Sequence, residues 1–304
     1  MNMLKYSILV FLGACCYGTL STIVKLGITD GYSIQQILGG QYFFGWSFLL
    51  ILMLLFSRVR LGWKQAGSLV LAGIPLSLTG IFYGYAVEQL PASLAVLLLF
   101  QFTWIGIILE AIVERTFPSK PKLISVAILF VGTILAGGVL EQDSSGWTTS
   151  GIVFGLLSAF TFALYIFVSG KVGTTVPVLS KSFLIVTGAL TIVLLTFSPA
   201  FLYDGSIPSG LWKFGIPLAL LGIVIPVVFF AIGVPKVGPG LGTILGAAEL
   251  PAAVTMSVLV LQEKVTMLQW FGIIIVLLGI AIPQLQLNKR SQKLQEPSYS
   301  SLKG

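Results

Sequence analysis

Ten apolar stretches, each close to the length that spans a bilayer, constrain this chain more than any other feature of its sequence. They run over 6–27, 34–56, 66–87, 91–113, 123–140, 151–170, 182–198, 214–233, 238–261 and 267–287, with short connections that hold most of the polar residues. A helix crosses the hydrocarbon core with about 20 apolar residues. In lipid only helices and closed barrels satisfy their own backbone. The runs are too long for strands and lack the period-2 alternation of a transmembrane barrel. Pro75, Pro217, Pro226 and Pro251 fall inside them, which membrane helices tolerate where neighbours take up the freed carbonyls. The expected fold is an all-α polytopic membrane protein with ten transmembrane helices.

Composition excludes the main alternatives. Only 9% of the 304 residues are charged and 56% are hydrophobic, against about 25% charged in a soluble domain. Mean hydropathy is +1.02. An ordinary soluble enzyme cannot build its surface from so few charges, and so much apolar surface excludes disorder. The absence of histidine removes His bases, His metal sites and His pH switches. Cys15 and Cys16 are adjacent and have no other cysteine to pair with, so they read as small apolar packing residues. Leu12-Gly13-Ala14-Cys15 looks like a lipoprotein cleavage box, but the apolar run continues to Val24, beyond the roughly 7–15 residues of a signal h-region. It is read as a helix.

The net charge of +7 is an orientation signal. With a cytoplasmic N-terminus, Lys5, Arg58, Arg60, Lys64, Arg115, Lys120, Lys122, Lys171, Lys181, Lys236, Lys289, Arg290, Lys293 and Lys303 all fall on the cytoplasmic side. Lys213 and Lys264 fall opposite, and Lys25 lies near the outer end of the first run. Such a bias follows the positive-inside rule and faces anionic lipid, so no nucleic-acid partner is expected. The expected location is a bacterial plasma membrane, with both termini cytoplasmic.

The two halves of the chain repeat one another. Residues 73–81 read GIPLSLTGI and residues 215–223 read GIPLALLGI, identical at seven of nine positions at an offset of 142. Lys25-Leu26-Gly27 matches Lys171-Val172-Gly173 at an offset of 146, and Pro91 matches Pro239 at 148. Glu114-Arg115 follows the fourth run as Glu263-Lys264 follows the ninth. Five helices per half oblige the second half to enter the membrane from the other side. The result is two inverted five-helix repeats, the arrangement of many secondary transporters. The division is 1–140 and 151–287 for the repeats, with a polar external linker at 141–150 and a polar cytoplasmic tail at 288–304, read as disordered.

On these features the chain resembles the drug/metabolite transporter superfamily, specifically proteins with two EamA-type domains, over about residues 5–287. The Glu249-Leu250-Pro251 step looks like the family's Glu-Pro step, although Leu250 separates the two residues here. Tyr17 stands where a Trp is common in the family. The resemblance implies small-molecule transport, often export of amino acids or other metabolites, without ATP hydrolysis. No Walker motif occurs in the sequence, which agrees with that.

Glu249 is the most informative position. It lies about 11 residues into the ninth run, where an ionisable group is costly and marks function by default. Its carboxyl can carry a proton or pair with a cationic substrate group. At an offset of 148 its counterpart is Gln101, which is expected to line the same cavity or to bond another helix. Tyr17, Tyr83, Tyr85, Trp104 and Tyr165 lie deep enough to reach a central cavity. Lys25 either snorkels to the interface or meets a carboxylate. Glu110 is expected at the interface, or paired with Arg115. Trp63, Trp147, Trp212 and Trp270 read as interfacial anchors. Gly80 with Gly84, and Gly242 with Gly246, have the spacing of close helix contacts.

The leading function is a secondary active transporter, an exporter by resemblance, of a small organic metabolite such as an amino acid, working by alternating access. Its expected partners are that substrate, membrane lipids and a proton or other coupling ion. No cofactor or metal is expected. A lipid or lipid-linked sugar flippase on the same fold, or a sugar or nucleotide-sugar carrier, is the alternative. A membrane enzyme is disfavoured, because Asp30, Asp143 and Asp204 all lie in loops. A receptor or scaffold is disfavoured by the short loops.

Overall fold

A computed structural model describes residues 3–57, 59, 61–90, 92–138 and 148–295. Pro91, Arg58, Arg60, Trp147, most of the 141–150 linker and the last nine residues of the tail lie outside the described residues. The described chain is all helical, with no strand among the described residues. Its helical segments are α1 (Met3–Thr29), α2 (Ile34–Phe56), α3 (Trp63–Gln89), α4 (92–114), α5 (Lys120–Ala136), α6 (Thr149–Lys171), α7 (Val178–Thr196), α8 (Ile207–Val237), α9 (Pro239–Leu261) and α10 (Met267–Gln295).

Eight of these, among the described residues, are long and apolar enough to cross a bilayer. The other two are shorter in their apolar part. α5 has 17 residues, and the apolar part of α10 is Met267–Pro283. These two helices pack on each other along their whole shared length, antiparallel. Gly132 lies against Val276, Gly272 against the backbone of Ala136, and Ser125 donates to the Gly279 carbonyl. The tail departs from expectation, since α10 continues as helix to Gln295.

Local chemistry sets the helix ends. Ser33 and Gln36 form a capping box at the start of α2, satisfying backbone donors that a helix start leaves unpaired. The Thr148 side chain accepts from Gly151 N–H at the start of α6. α4 and α9 each end on a residue in the left-handed region, Arg115 (φ 52°) and Gln262 (φ 55°). Lys181 is 1% exposed, and its Nζ donates to the Ser169 carbonyl at 2.7 Å, a cation on the last turn of α6.

The most extensive helix contacts join one half of the chain to the other: α5 with α10, α3 with α6, α1 with α8 and α9, α2 with α8 and α4 with α6. The pair α3–α6 corresponds to α1–α8 when the halves are exchanged. The path of the chain places matched residues at opposite ends of the bundle. Lys25 ends α1 at one end, and three crossings later Glu114 ends α4 at the other.

Where helices cross most tightly, glycine permits it. A Cβ on Gly73 of α3 would run into the Ile185 carbonyl of α7, and a Cβ on Gly188 of α7 into the Val70 carbonyl of α3. The expected glycine contacts are only half present. Gly242 and Gly246 touch Val234, Ile166 and Phe102, whereas a Cβ on Gly80 or Gly84 would meet nothing closer than 3.6 Å.

At the Glu114 end, Glu110 is 8% exposed and pairs with Lys122 of α5, not with Arg115. Its other oxygen accepts from the Gly240 N–H at 3.1 Å, at the positive start of α9. Removing one partner of such a pair strands the other charge. Glu110→Ala is expected to destabilise the protein by about 3 kcal/mol, with Glu110→Gln costing less, read as the thermal unfolding midpoint in detergent.

Candidate functional site

Four helices break part-way along their length, and the breaks build the site. In α9 the pieces Pro239–Gly246 and Glu249–Leu261 meet at Ala247–Ala248. Pro251 supplies no N–H for the Ala247 carbonyl, which accepts from Leu250 instead, at 3.3 Å. In α3 the pieces meet at Ala72–Gly73, two residues before Pro75. In α1 Thr19 interrupts Met3–Gly18 and Leu20–Thr29, and its hydroxyl and N–H both donate to the Cys16 carbonyl, at 2.8 and 3.1 Å. In α4 the break falls at Phe100–Gln101. There the Gln101 N–H bonds Leu98, and its side-chain amide takes the freed Leu97 carbonyl at 2.9 Å.

The breaks of α4 and α9 lie level. Phe102 packs on Gly246, and Thr243 Oγ1 donates to the Thr103 carbonyl at 3.2 Å. The matching breaks and matching left-handed ends set the two halves in register at an offset of 147. This corrects the offset of 148 by one residue, so Phe102 and not Gln101 is the counterpart of Glu249.

Around the α9 break stands a cluster of buried polar groups. Glu249 opens the second piece of α9 and lies within electrostatic reach of Tyr17 of α1 and Tyr83 of α3. Tyr17 in turn reaches Tyr165 of α6 and Tyr42 of α2. Gly18 seats α1 directly on this point, because a Cβ there would strike the Glu249 carbonyl and Ala252. Rings wall the cluster: Tyr17 meets Phe162 at 5.7 Å and Phe230 at 5.8 Å, both edge-on, and Tyr165 stacks on each of them at 6.2 Å. The Tyr17 and Tyr165 hydroxyls face each other, and among the described residues neither is held by any other group. Each keeps hydrogen-bonding capacity that a ligand can use.

Of the residues singled out from sequence, Glu249, Tyr17, Tyr83 and Tyr165 come together. Gln101 and Trp104 are placed elsewhere. The Trp104 indole donates to Gln101 Oε1 at 2.8 Å, and Trp104 lies on a stripe with Ile108 and Ile112 that is exposed on the bundle surface. Phe102, two residues away, takes the inward position. Lys25 pairs with Glu263 at the end of α9, about 14 residues from Glu249. Tyr42, which reaches Tyr17, was missed. The Gln41-Tyr42 dipeptide is an amide and a hydroxyl inside the second apolar run, the same signal that marked Gln101. Among the described residues, no group of three or more Cys, Asp or Glu could hold a metal.

At the Lys25 end of the bundle, a cavity of about 350 Å³ is lined by Ser33, Gln36, Phe201 and Asp204 among others. Asp204 accepts from the Ser206 hydroxyl, from the Ser206 N–H at 2.8 Å and from Gln36 Nε2 at 3.1 Å. The Ser206 bonds hold its carboxyl below the usual carboxylate range. A depressed value means that the stabilisation is complete above the unfolded value of about 4 and is lost as pH falls through the lower folded one. Exchange protection of the Ser206 amide is therefore expected to stay constant from pH 7 to about 4 and to fall below it.

Comparison with known proteins agrees with this architecture. The sequence profile of the EamA-like transporter family matches the chain twice, at residues 4–138 and 149–283. No curated protein matches it by sequence. A solved structure described only as "Crystal structure of protein" is 15% identical over 94% of this chain and 98% of its own, with a TM-score of 0.75, which shows a shared fold. Two consecutive matches that between them take in both five-helix halves mean that the chain belongs to the EamA-like transporter family, and that it is an integral membrane transporter of the drug/metabolite type.

Proposed function

We propose that the protein is a secondary active transporter of a small metabolite bearing an ammonium group, an amino acid or related amine, and that it works by alternating access as an exporter. On this reading α5 and α10 cross the membrane with the other eight helices, the halves are inverted repeats, and both termini are cytoplasmic. The observation that carries the proposal is the Glu249 carboxyl set against a wall of tyrosine and phenylalanine rings at the helix breaks. A carboxylate supplies the counter-charge for an ammonium group, and aromatic faces attract the same cation. The Tyr17 and Tyr165 hydroxyls can accept from or donate to the polar groups of such a molecule. Proton exchange at Glu249 supplies the coupling.

The test is gradient-driven flux through purified protein in phospholipid vesicles. A panel of radiolabelled amino acids and amines is assayed beside a fluorescent lipid analogue. Flux of at least one amine-bearing metabolite under an imposed pH gradient, with no lipid scrambling, is the expected result. Scrambling without metabolite flux would overturn the proposal in favour of a flippase.

A further inference from the structure

Two ion pairs stand at opposite ends of the bundle, and both join one half of the chain to the other. Lys25 of α1 pairs with Glu263 just past α9. Lys171, the last residue of α6, pairs with Glu114, the last residue of α4. The two lysines occupy matched places in the halves, and so, within two residues of the left-handed ends, do the two glutamates. Exchanging the halves therefore turns one pair into the other while moving it to the opposite end.

Each pair is also wired to the central cluster through a single helix. The second piece of α9 begins with Glu249 and leads to Glu263. α6 carries Tyr165 and ends at Lys171, six residues on, a rise of about 9 Å along a helix. α1 carries Tyr17 before its Thr19 break and Lys25 after it. A shift of α6 or of the second piece of α9 at the cluster is carried directly to a latch. The side chains are 60% and 42% exposed in one pair and 44% and 37% in the other. Exposed pairs of this kind are weak, which suits contacts broken in every cycle.

We infer that Lys25–Glu263 and Lys171–Glu114 are the two alternately broken latches of transport, each closing one end of the pathway across the boundary between the halves. The inference rests on the alternating-access reading. A buried structural pair would behave differently, since its loss would loosen the molecule without regard to side.

Cys15 is a native reporter. It is half-buried beside the α9 break, its sulfur 3.9 Å from the Ala248 carbonyl. In a Cys16→Ala background, a membrane-impermeant maleimide is applied to right-side-out and to inside-out vesicles. Glu263→Gln is expected to speed Cys15 labelling about two- to fivefold from the Lys25 face only. Glu114→Gln is expected to do the same from the opposite face only. The charge exchange Lys25→Glu with Glu263→Lys should return labelling to the parent rate. Unchanged labelling in both variants, or equal acceleration from both faces, overturns the latches. Metabolite flux is measured in the same vesicles. Mirror-image labelling without flux of any tested metabolite leaves the latches standing and removes the substrate reading. Intact flux without sided labelling does the reverse.

Discussion

Replacing Glu249 with Gln is expected to abolish pH-dependent flux while leaving the protein folded and inserted. Glutamine keeps the shape and the hydrogen-bonding oxygen but can neither release a proton nor balance an ammonium charge. Truncating one partner of a desolvated charge pair costs about 2 kcal/mol or more, a loss in apparent affinity on the order of 30-fold. The neighbours make the result specific. Tyr17 and Tyr83 remain in place around the amide, so residual binding of uncharged analogues should survive. Flux measured at two pH values, with a melting curve of the purified variant, checks both halves of the expectation. A variant that melts like the parent and still transports with the parent's pH dependence removes Glu249 from the mechanism.

Gly188→Val is expected to prevent assembly. The substituted carbon would meet the Val70 carbonyl, and the reciprocal Gly73 already lies against the Ile185 carbonyl and the Ala189 nitrogen. Neither obstacle is the flexible end of a side chain that could swing aside. Overpacking a core typically costs about 1–3 kcal/mol, and a collision with backbone at a helix crossing belongs at or above the top of that range. Little folded protein should be recovered, read as the monodisperse fraction on size exclusion. Gly67→Ala, five residues before the α3 break, meets nothing within 4 Å. It should be neutral or stabilise by up to about 1 kcal/mol.

These variants show which features were legible in the sequence. An isolated carboxyl among apolar residues announces its own importance, because hydrocarbon makes it costly wherever it points. Glu249 could therefore be named without knowing a single contact. Tyr17, Tyr83 and Tyr165 were legible only by depth, and depth could not separate them from Trp104, which sits on the exposed stripe with Ile108 and Ile112. Which face of α4 points inward is decided by Thr243 and Gly246 of α9, more than 130 residues away. The one-residue register error had the same origin, since only the level breaks and left-handed ends align the halves. The breaks at Pro75 and Pro251 have a sequence signal. Those at Thr19 and Gln101 do not, being fixed by side-chain bonds to Cys16 and Leu97. Lys25 was read as snorkelling or meeting a carboxylate, and only the folded chain supplies Glu263 as that partner.

The pairing of each helix with one from the other half bears on how the protein is made. α5 meets its main partner, α10, only after more than a hundred further residues have been synthesised. Until α10 is inserted, Gly132 and the Ser125 hydroxyl face lipid or passing helices in place of Val276 and the Gly279 carbonyl. Helix insertion is thus sequential, but consolidation must wait for the last helix. A ribosome that stops after residue 261 would release a chain whose first half has nowhere to settle, and quality control in the membrane would meet it as an open, glycine-lined surface.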